Sequence, residues 1–320
     1  PIVSAILIVA GLTIVLLQFG FYKKCVDRFF PEKTGHNVTA VKKCSGEVKR
    51  RIFFNGHPDA AWEWPVNYAL GGVGFEGHAV GIGAVYYLVI SIISTVKYGA
   101  FGMISHDVTL FKMALWGLIF VPFLIGLYWM WNKNRIVDGA NDNLSGCYMG
   151  IAVLKALHDQ GITLENTEVG VILSGSEEAG LRGCKSWAKN HYDEYVNSGV
   201  ETVVLCVDTL TDRDYLRVYN KDMTGTVKNN QQFSQLVMDA SKDAGHDDIE
   251  LSSVFFGSSD AAAFSQAGIT ATCLAAMDPR PADYYHNRRD TADRLVPETI
   301  KTGFDVIIST ILNFDEKGLN

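Results

Sequence analysis

The sequence predicts an α/β protein: a central β-sheet flanked by helices on both faces, with an N-terminal membrane helix and an inserted membrane helical hairpin. Three observations predict it. Short β-branched runs alternate with stretches of helical spacing over most of the chain. The acidic residues and histidines of interest fall just after those runs, where α/β sheets carry their functional loops. Three long apolar segments interrupt the pattern. With 320 residues, 48% of them hydrophobic, the chain can bury a full-sized core.

In chain order, Ile2 to Tyr22 carries no charge, enough at about 1.5 Å rise per residue to cross a hydrocarbon layer of about 30 Å. Asn37–Val41 and Arg51–Asn55 follow as candidate strands. Ala79–Val96 and Met113–Trp131 are the second and third apolar segments. The third closes on Tyr128, Trp129 and Trp131, the aromatic residues expected at a membrane interface. The 16 residues from Lys97 to Lys112 join these two into a hairpin. Beyond it, strands are expected at Glu168–Leu173, Thr202–Val207, Tyr215–Val218, Leu251–Phe255 and Thr270–Leu274. Helices are expected at Leu144–Gln160, Leu181–Asn190, Gln231–Ala244, Ser259–Gln266 and Pro297–Phe314. The division that results is 1–33, a membrane helix and linker; 77–132, the inserted hairpin; and 34–76 with 133–320, one α/β domain.

Charge supplies the orientation and removes one class of partner. Lys23, Lys24, Arg28, Lys33, Lys133 and Arg135 flank the segments on the side of the polar domain, whereas the hairpin tip offers Lys97 and Lys112. The positive-inside bias therefore puts the polar domain in the cytoplasm. The six cysteines, scattered with no C-x-x-C pair, read as reduced, and Cys206 in its apolar run reads as buried filler. A formal net charge of −7 with no basic cluster argues against nucleic acid as a partner.

Five polar motifs carry the chemistry: Gly56-His57-Pro58-Asp59, Asp138-Gly139-Ala140-Asn141-Asp142-Asn143, Ser176-Glu177-Glu178-Ala179-Gly180, Asp208 after Val204–Val207, and Tyr284-Tyr285-His286 with Asp290 and Thr291 behind it. Any one alone reads as a helix cap or surface residue. Together, two imidazoles and several carboxylates are what a pair of zinc ions requires, and three ligating carboxylates offset most of the charge of two divalent cations.

This ordered set resembles the zinc aminopeptidases of the bacterial leucyl aminopeptidase type, a family that also embraces glutamate carboxypeptidase and glutaminyl cyclase relatives. The resemblance covers nearly all of residues 34–317 apart from the hairpin. It implies the zinc-aminopeptidase fold with a mixed sheet, and two Zn2+ as cofactors, for which Co2+ or Mn2+ can substitute. By the same resemblance His57 and Asp208 bind one zinc, Glu178 and His286 the other, and Asp142 bridges both. Glu177 is then the general base that takes a proton from the water between the metals and passes it to the leaving amine. Asp59 is placed to accept the second ring N–H of His57, and Asp290 to do the same for His286. The peptide bond after the bridging Asp142 is expected to be cis. Two departures from the family pattern stand out: Ala261 follows Ser258-Ser259-Asp260 where the family often has His, and Pro58 replaces a more usual aromatic residue. Ser259 or Asp260 is equally suited to capping the helix that follows.

The expected activity is hydrolysis of the N-terminal peptide bond of peptides with a free amino end, by a metallopeptidase domain that the apolar segments tether to membrane lipid. Two alternatives stay open, a single-zinc enzyme like the glutaminyl cyclases and a metal-free receptor or scaffold of the same fold. Trp62, Trp64 and Tyr68 are candidates for a substrate pocket and equally for packing.

Overall fold

The computed structural model describes all residues except 72–74, 103, 256, 281 and 320. It divides into two compact units, Lys33–Ala61 with Ile136–Asn320, and Pro1–Glu32 with Trp62–Arg135.

Among the described residues, the larger unit is built on an eight-stranded mixed sheet. Its strands are β1 (Asn37–Lys42), β2 (Arg50–Gly56), β3 (Thr167–Ser174), β4 (Glu201–Leu210), β5 (Leu216–Asp222), β6 (Val227–Lys228), β7 (Glu250–Ser253) and β8 (Thr270–Ala276). Their spatial order is β1-β3-β2-β4-β8-β5-β6, with β7 paired to β5. The middle four, β3, β2, β4 and β8, run parallel, and β1 and β5 lie antiparallel at either side of them. The parallel strands are near-continuous apolar runs because both of their faces are covered.

Side-chain alternation along β2 shows the two layers. Ile52 and Phe54 enter a core with Met149 and Val153 of α1 (Ser145–Asp159), Phe233 and Val237 of α3 (Gln231–Asp243), and Val306 and Phe314 of α5 (Pro297–Lys317). Phe53 points the other way. It meets Trp187 and Tyr195 of α2 (Arg182–Tyr195) edge-on, with ring centroids 5.6 and 5.0 Å apart, and Trp187 in turn meets Phe264 of α4 (Asp260–Gln266). Apart from the half-buried Tyr195, each of these buried side chains contributes about 1.5–3 kcal/mol. The helix starts are specified locally: Asn230 accepts from Phe233 N, Ser259 accepts from Ala261 N, and Pro297 opens α5.

Among the described residues, the smaller unit holds three helical segments long and apolar enough to cross a membrane: Ile2–Gly20, Gly77–Tyr98 and Val108–Trp129. The third begins ahead of the expected Met113 because Asp107 caps it, accepting from Thr109 N and Leu110 N, and the helix tolerates Lys112 in its second turn. Gly117–Phe120 tightens to 3-10 geometry before Val121–Gly126 resumes the α-helix. Pro122 explains the change, since it has no N–H to donate and its ring crowds the preceding turn. The second and third segments meet closely here: a Cβ on Gly117 would lie 2.7 Å from the ring of Tyr87, and one on Gly83 would lie 2.8 Å from Phe120. Tyr86 and Tyr87 donate their hydroxyls to the carbonyls of Met113 and Ala114. A two-stranded sheet, Trp62–Glu63 with Asn132–Ile136, and a short helix, Pro65–Leu70, complete the unit.

Candidate metal centre

The polar residues that the sequence singles out gather at the carboxyl ends of the parallel strands. His57 directly follows β2, Glu177 and Glu178 sit on the loop after β3, Asp208 lies near the end of β4, and His286 is on the long loop after β8. Asp142 stands immediately before α1, whose start is wedged between two strand ends. A Cβ on Gly56 would lie 2.6 Å from Cys147 N, and one on Gly146 would lie 2.1 Å from the carbonyl oxygen of Val207. Only glycine permits either approach. Asn143 ties the same place down by donating to Val207 O and accepting from Gly146 N. The Asp142–Asn143 peptide bond is cis, as the resemblance implies.

Asp142 faces both histidines. Its Oδ1 lies 3.3 Å from His57 Nε2 and its Oδ2 lies 3.2 Å from His286 Nε2. Asp208 Oδ2 approaches His57 Nε2 at 3.9 Å, and Glu178 Oε2 approaches His286 Nε2 at 3.3 Å. Two triads result, His57–Asp142–Asp208 and Asp142–Glu178–His286, with donor atoms in each lying within 4.8 Å of one another. The donor set fits zinc: bonds of about 2.0–2.2 Å in a tetrahedron put neighbouring donors about 3.3–3.6 Å apart. Glu178 Oε1 and Asp208 Oδ1 are buried with no hydrogen-bond partner among the described residues, which suits them to a cation. Glu177 Oε2 sits 3.9 Å from His57 Nε2.

The electrostatics describe a cage that attracts positive charge. Burial pulls the His57 pKa down, yet the charge of Glu177, the hydrogen bond to Asp142 and the charge of Asp208 outweigh it and hold the imidazole well above its usual value. His286 is likewise pushed up to about 10, with burial overcome by Glu178 and Asp142. Burial, together with Glu178, Asp208 and Asp260, holds the Glu177 carboxyl well above the usual range despite the pull of His57. Asp208 is raised by burial and Asp142. The field that makes these groups hold protons is the field a divalent cation would find.

Two carboxylates do something other than expected. The Nδ1 of His57 lies 3.1 Å from the main-chain carbonyl of Asp59, whereas the Asp59 carboxylate oxygen is 3.7 Å away. That carboxylate instead accepts the backbone N–H groups of Glu177 and Glu178, at 3.1 Å each. Asp290 likewise accepts the N–H groups of Asn141 and Asp142, at 2.7 and 3.1 Å, instead of a ring N–H of His286. Each acid reaches across to the backbone of another ligand loop. Tyr285 stacks on His286 with ring centroids 3.8 Å apart. Ser259 is the cap of α4, and Asp260 is buried beside the cluster, accepting from Ser174 Oγ at 2.7 Å.

Sequence reasoning missed Ser174 and Asn55. Asn55 donates to Ser174 Oγ at 2.8 Å, and the pair supports the strand end that presents His57. Their signal was a polar residue closing each of two apolar parallel strands. Trp62, Trp64 and Tyr68 belong to the smaller unit.

A family model described as peptidase family M28 matches residues 128–311. Among solved structures, the chain is similar to the LapA aminopeptidase of Legionella pneumophila, at 17% identity over 59% of this chain and 50% of that one, with a TM-score of 0.50. It is similar to an aminopeptidase from Aneurinibacillus sp. strain AM-1, at 18% identity over 86% and 47%, with a TM-score of 0.51. It is also similar to a Bacteroides thetaiotaomicron glutaminyl cyclase bound to N-acetylhistamine, at 15% identity over 86% and 76%, with a TM-score of 0.54. At these identities the likeness speaks to the fold, and the match spans about half the length of the LapA chain. No curated protein sequence matches the chain.

Proposed function

Because the chain belongs to peptidase family M28, we propose that it is a membrane-tethered aminopeptidase with two zinc ions, its catalytic unit on the cytoplasmic side, acting on peptides with a free amino end. The observation that carries this reading is Asp142, whose two oxygens each face a different imidazole in a different triad. His57 and Asp208 would hold one zinc and Glu178 and His286 the other, with Asp142 common to both. Bound zinc supplies Lewis acidity, lowering the pKa of water and polarising a carbonyl.

The chain's own residues do the rest. Glu177 is mostly buried beside the triads, with its Oε2 3.9 Å from His57 Nε2. It takes the proton of the attacking water, whose oxygen bonds to the scissile carbonyl carbon, and returns it to the amine nitrogen as the C–N bond breaks. Asp59 fixes the loop bearing Glu177 and Glu178 through both backbone amides, and Asp290 fixes Asp142 in the same way. A single-zinc glutaminyl cyclase does not need His57 and Asp208 as ligands, and a metal-free scaffold has no need of the buried oxygens of Glu178 and Asp208 that lack a hydrogen-bond partner among the described residues.

The test is elemental analysis of the detergent-solubilised chain together with turnover of a panel of aminoacyl amides. Two zinc ions per chain and release of the amino acid are expected. One metal with cyclisation of N-terminal glutamine, or no metal affinity at all, would overturn the reading.

A further inference from the structure

The larger unit is tied to the three apolar segments by lengths of chain, and the shortest has a consequence. Trp129 closes the third segment and Ile136 opens the larger unit's second stretch, so only residues 130–135 lie between them. Seven steps of extended chain reach about 25 Å at most. The other two ties, residues 21–32 and 62–76, are longer.

The place where this short tie meets the larger unit is the rim of the metal centre. Val137 donates its N–H to the carbonyl of Ala61 at 3.0 Å, so the two chain exits are fastened to each other. Ala61 stands four residues after His57, and Val137 five residues before Asp142. Between the exits and the triads lies Asp59, gripping the amides of Glu177 and Glu178. A unit of this size is about 45 Å across. The tie is therefore shorter than the unit it holds, and it is attached at the catalytic end. This is a limit on chain length and holds for every arrangement of the two units. Lys133 and Arg135 within the tie also favour an anionic headgroup layer.

We propose that the substrates are peptides anchored in the same membrane, chains whose free amino end protrudes a short way from a lipid or transmembrane anchor. The proposal rests on the aminopeptidase reading above. A peptide confined to the surface layer that the tie allows the active site to sample has a higher effective concentration there than the same peptide in bulk water. The gain falls on KM, because the groups that perform the chemistry are unchanged.

The full chain, reconstituted in vesicles of mixed neutral and anionic lipid, is given one peptide in two forms, free and carrying a C-terminal two-chain lipid. The lipidated form is expected to show kcat/KM roughly 10²-fold higher, with kcat the same within a factor of two. Diluting the lipidated peptide with extra lipid at constant bulk concentration should lower its rate in proportion. A variant with flexible Gly-Ser segments inserted at 32/33, 61/62 and 135/136 should lose most of the preference while keeping its turnover of the free peptide. Equal kcat/KM for the two forms, or no response to surface dilution, overturns the proposal and leaves the aminopeptidase reading in place. If the inserted variant does not fold, the surface-dilution result alone decides. Absence of turnover of either form counts against the aminopeptidase reading itself.

Discussion

Replacing Asp290 is the sharpest test of how the ligand loops are held. Its carboxylate is 2% exposed and accepts two amides, from Asn141 and Asp142, both of which are themselves buried. Asp290→Ala leaves two buried N–H groups unpaired, at about 1–3 kcal/mol each. Against this, burial already pushes the Asp290 carboxyl up to about 6, so keeping it charged at neutral pH costs about 3 kcal/mol that the substitution relieves. The two unpaired amides together cost about 2–6 kcal/mol, so the net loss of stability is at most about 3 kcal/mol. Asp290→Asn should be no better, because its amide nitrogen would face one of the two backbone N–H groups. Releasing the backbone of the shared ligand should also weaken metal binding roughly 10–100-fold. Pulse proteolysis of the larger unit across a urea series measures the first effect, and titration against a competing chelator measures the second. If both substitutions leave the urea midpoint and the chelator competition unchanged, the clasp is not what holds Asp142 in place.

Four further outcomes are expected. Glu177→Gln should keep its metals by elemental analysis while kcat falls roughly 10²–10⁴-fold, and full activity in this variant would remove the general-base assignment. Chelation should abolish turnover, and added Zn2+ should restore it; activity that persists in demonstrably metal-free protein would contradict the site. Gly146→Ala drives a methyl into Val207 O and Asn143 Oδ1, so it should destabilise the larger unit by about 3 kcal/mol, measured as a urea midpoint. Glu168, 2% exposed, has its pKa held below the usual carboxylate range because the ion pairs with Arg51 at 2.7 Å and Lys43 at 3.0 Å outweigh its burial. A depressed folded pKa stabilises above the unfolded value of about 4.3 and is lost as pH falls through the folded one. Glu168→Gln should therefore flatten the acid limb of the stability profile, and an unchanged limb would refute the assignment.

The strands and helices of the larger unit were legible because parallel strands buried on both faces write themselves as unbroken apolar runs, and Arg51–Asn55 or Thr202–Val207 read as nothing else. Four of the five triad residues were legible for a related reason, each standing close to where such a run stops or a helix begins; His286, ten residues past the end of β8, was legible through the resemblance alone. The direction of second hydrogen bonds was not. Asp59 and Asp290 follow their histidines closely enough for a ring N–H to be the obvious partner, yet each bonds backbone more than a hundred residues away. That choice depends on how loops from separate strands are stacked, which no local pattern encodes. The sequence reads the third apolar segment as starting at Met113, directly after the charge of Lys112. In the fold Asp107 sets the start, and one charge in the second turn is tolerated.

The crosswise carboxylates make two clasps that between them fasten four segments of the rim. Asp59 closes the β2 loop onto the β3 loop, and Asp290 closes the β8 loop onto the backbone before α1. Neither pair of amide hydrogens can meet solvent unless a carboxylate on a different loop lets go. Isotope exchange at residues 141 and 142, and at 177 and 178, should accordingly proceed pairwise and slowly, tracking the release of each clasp instead of the fraying of single loops.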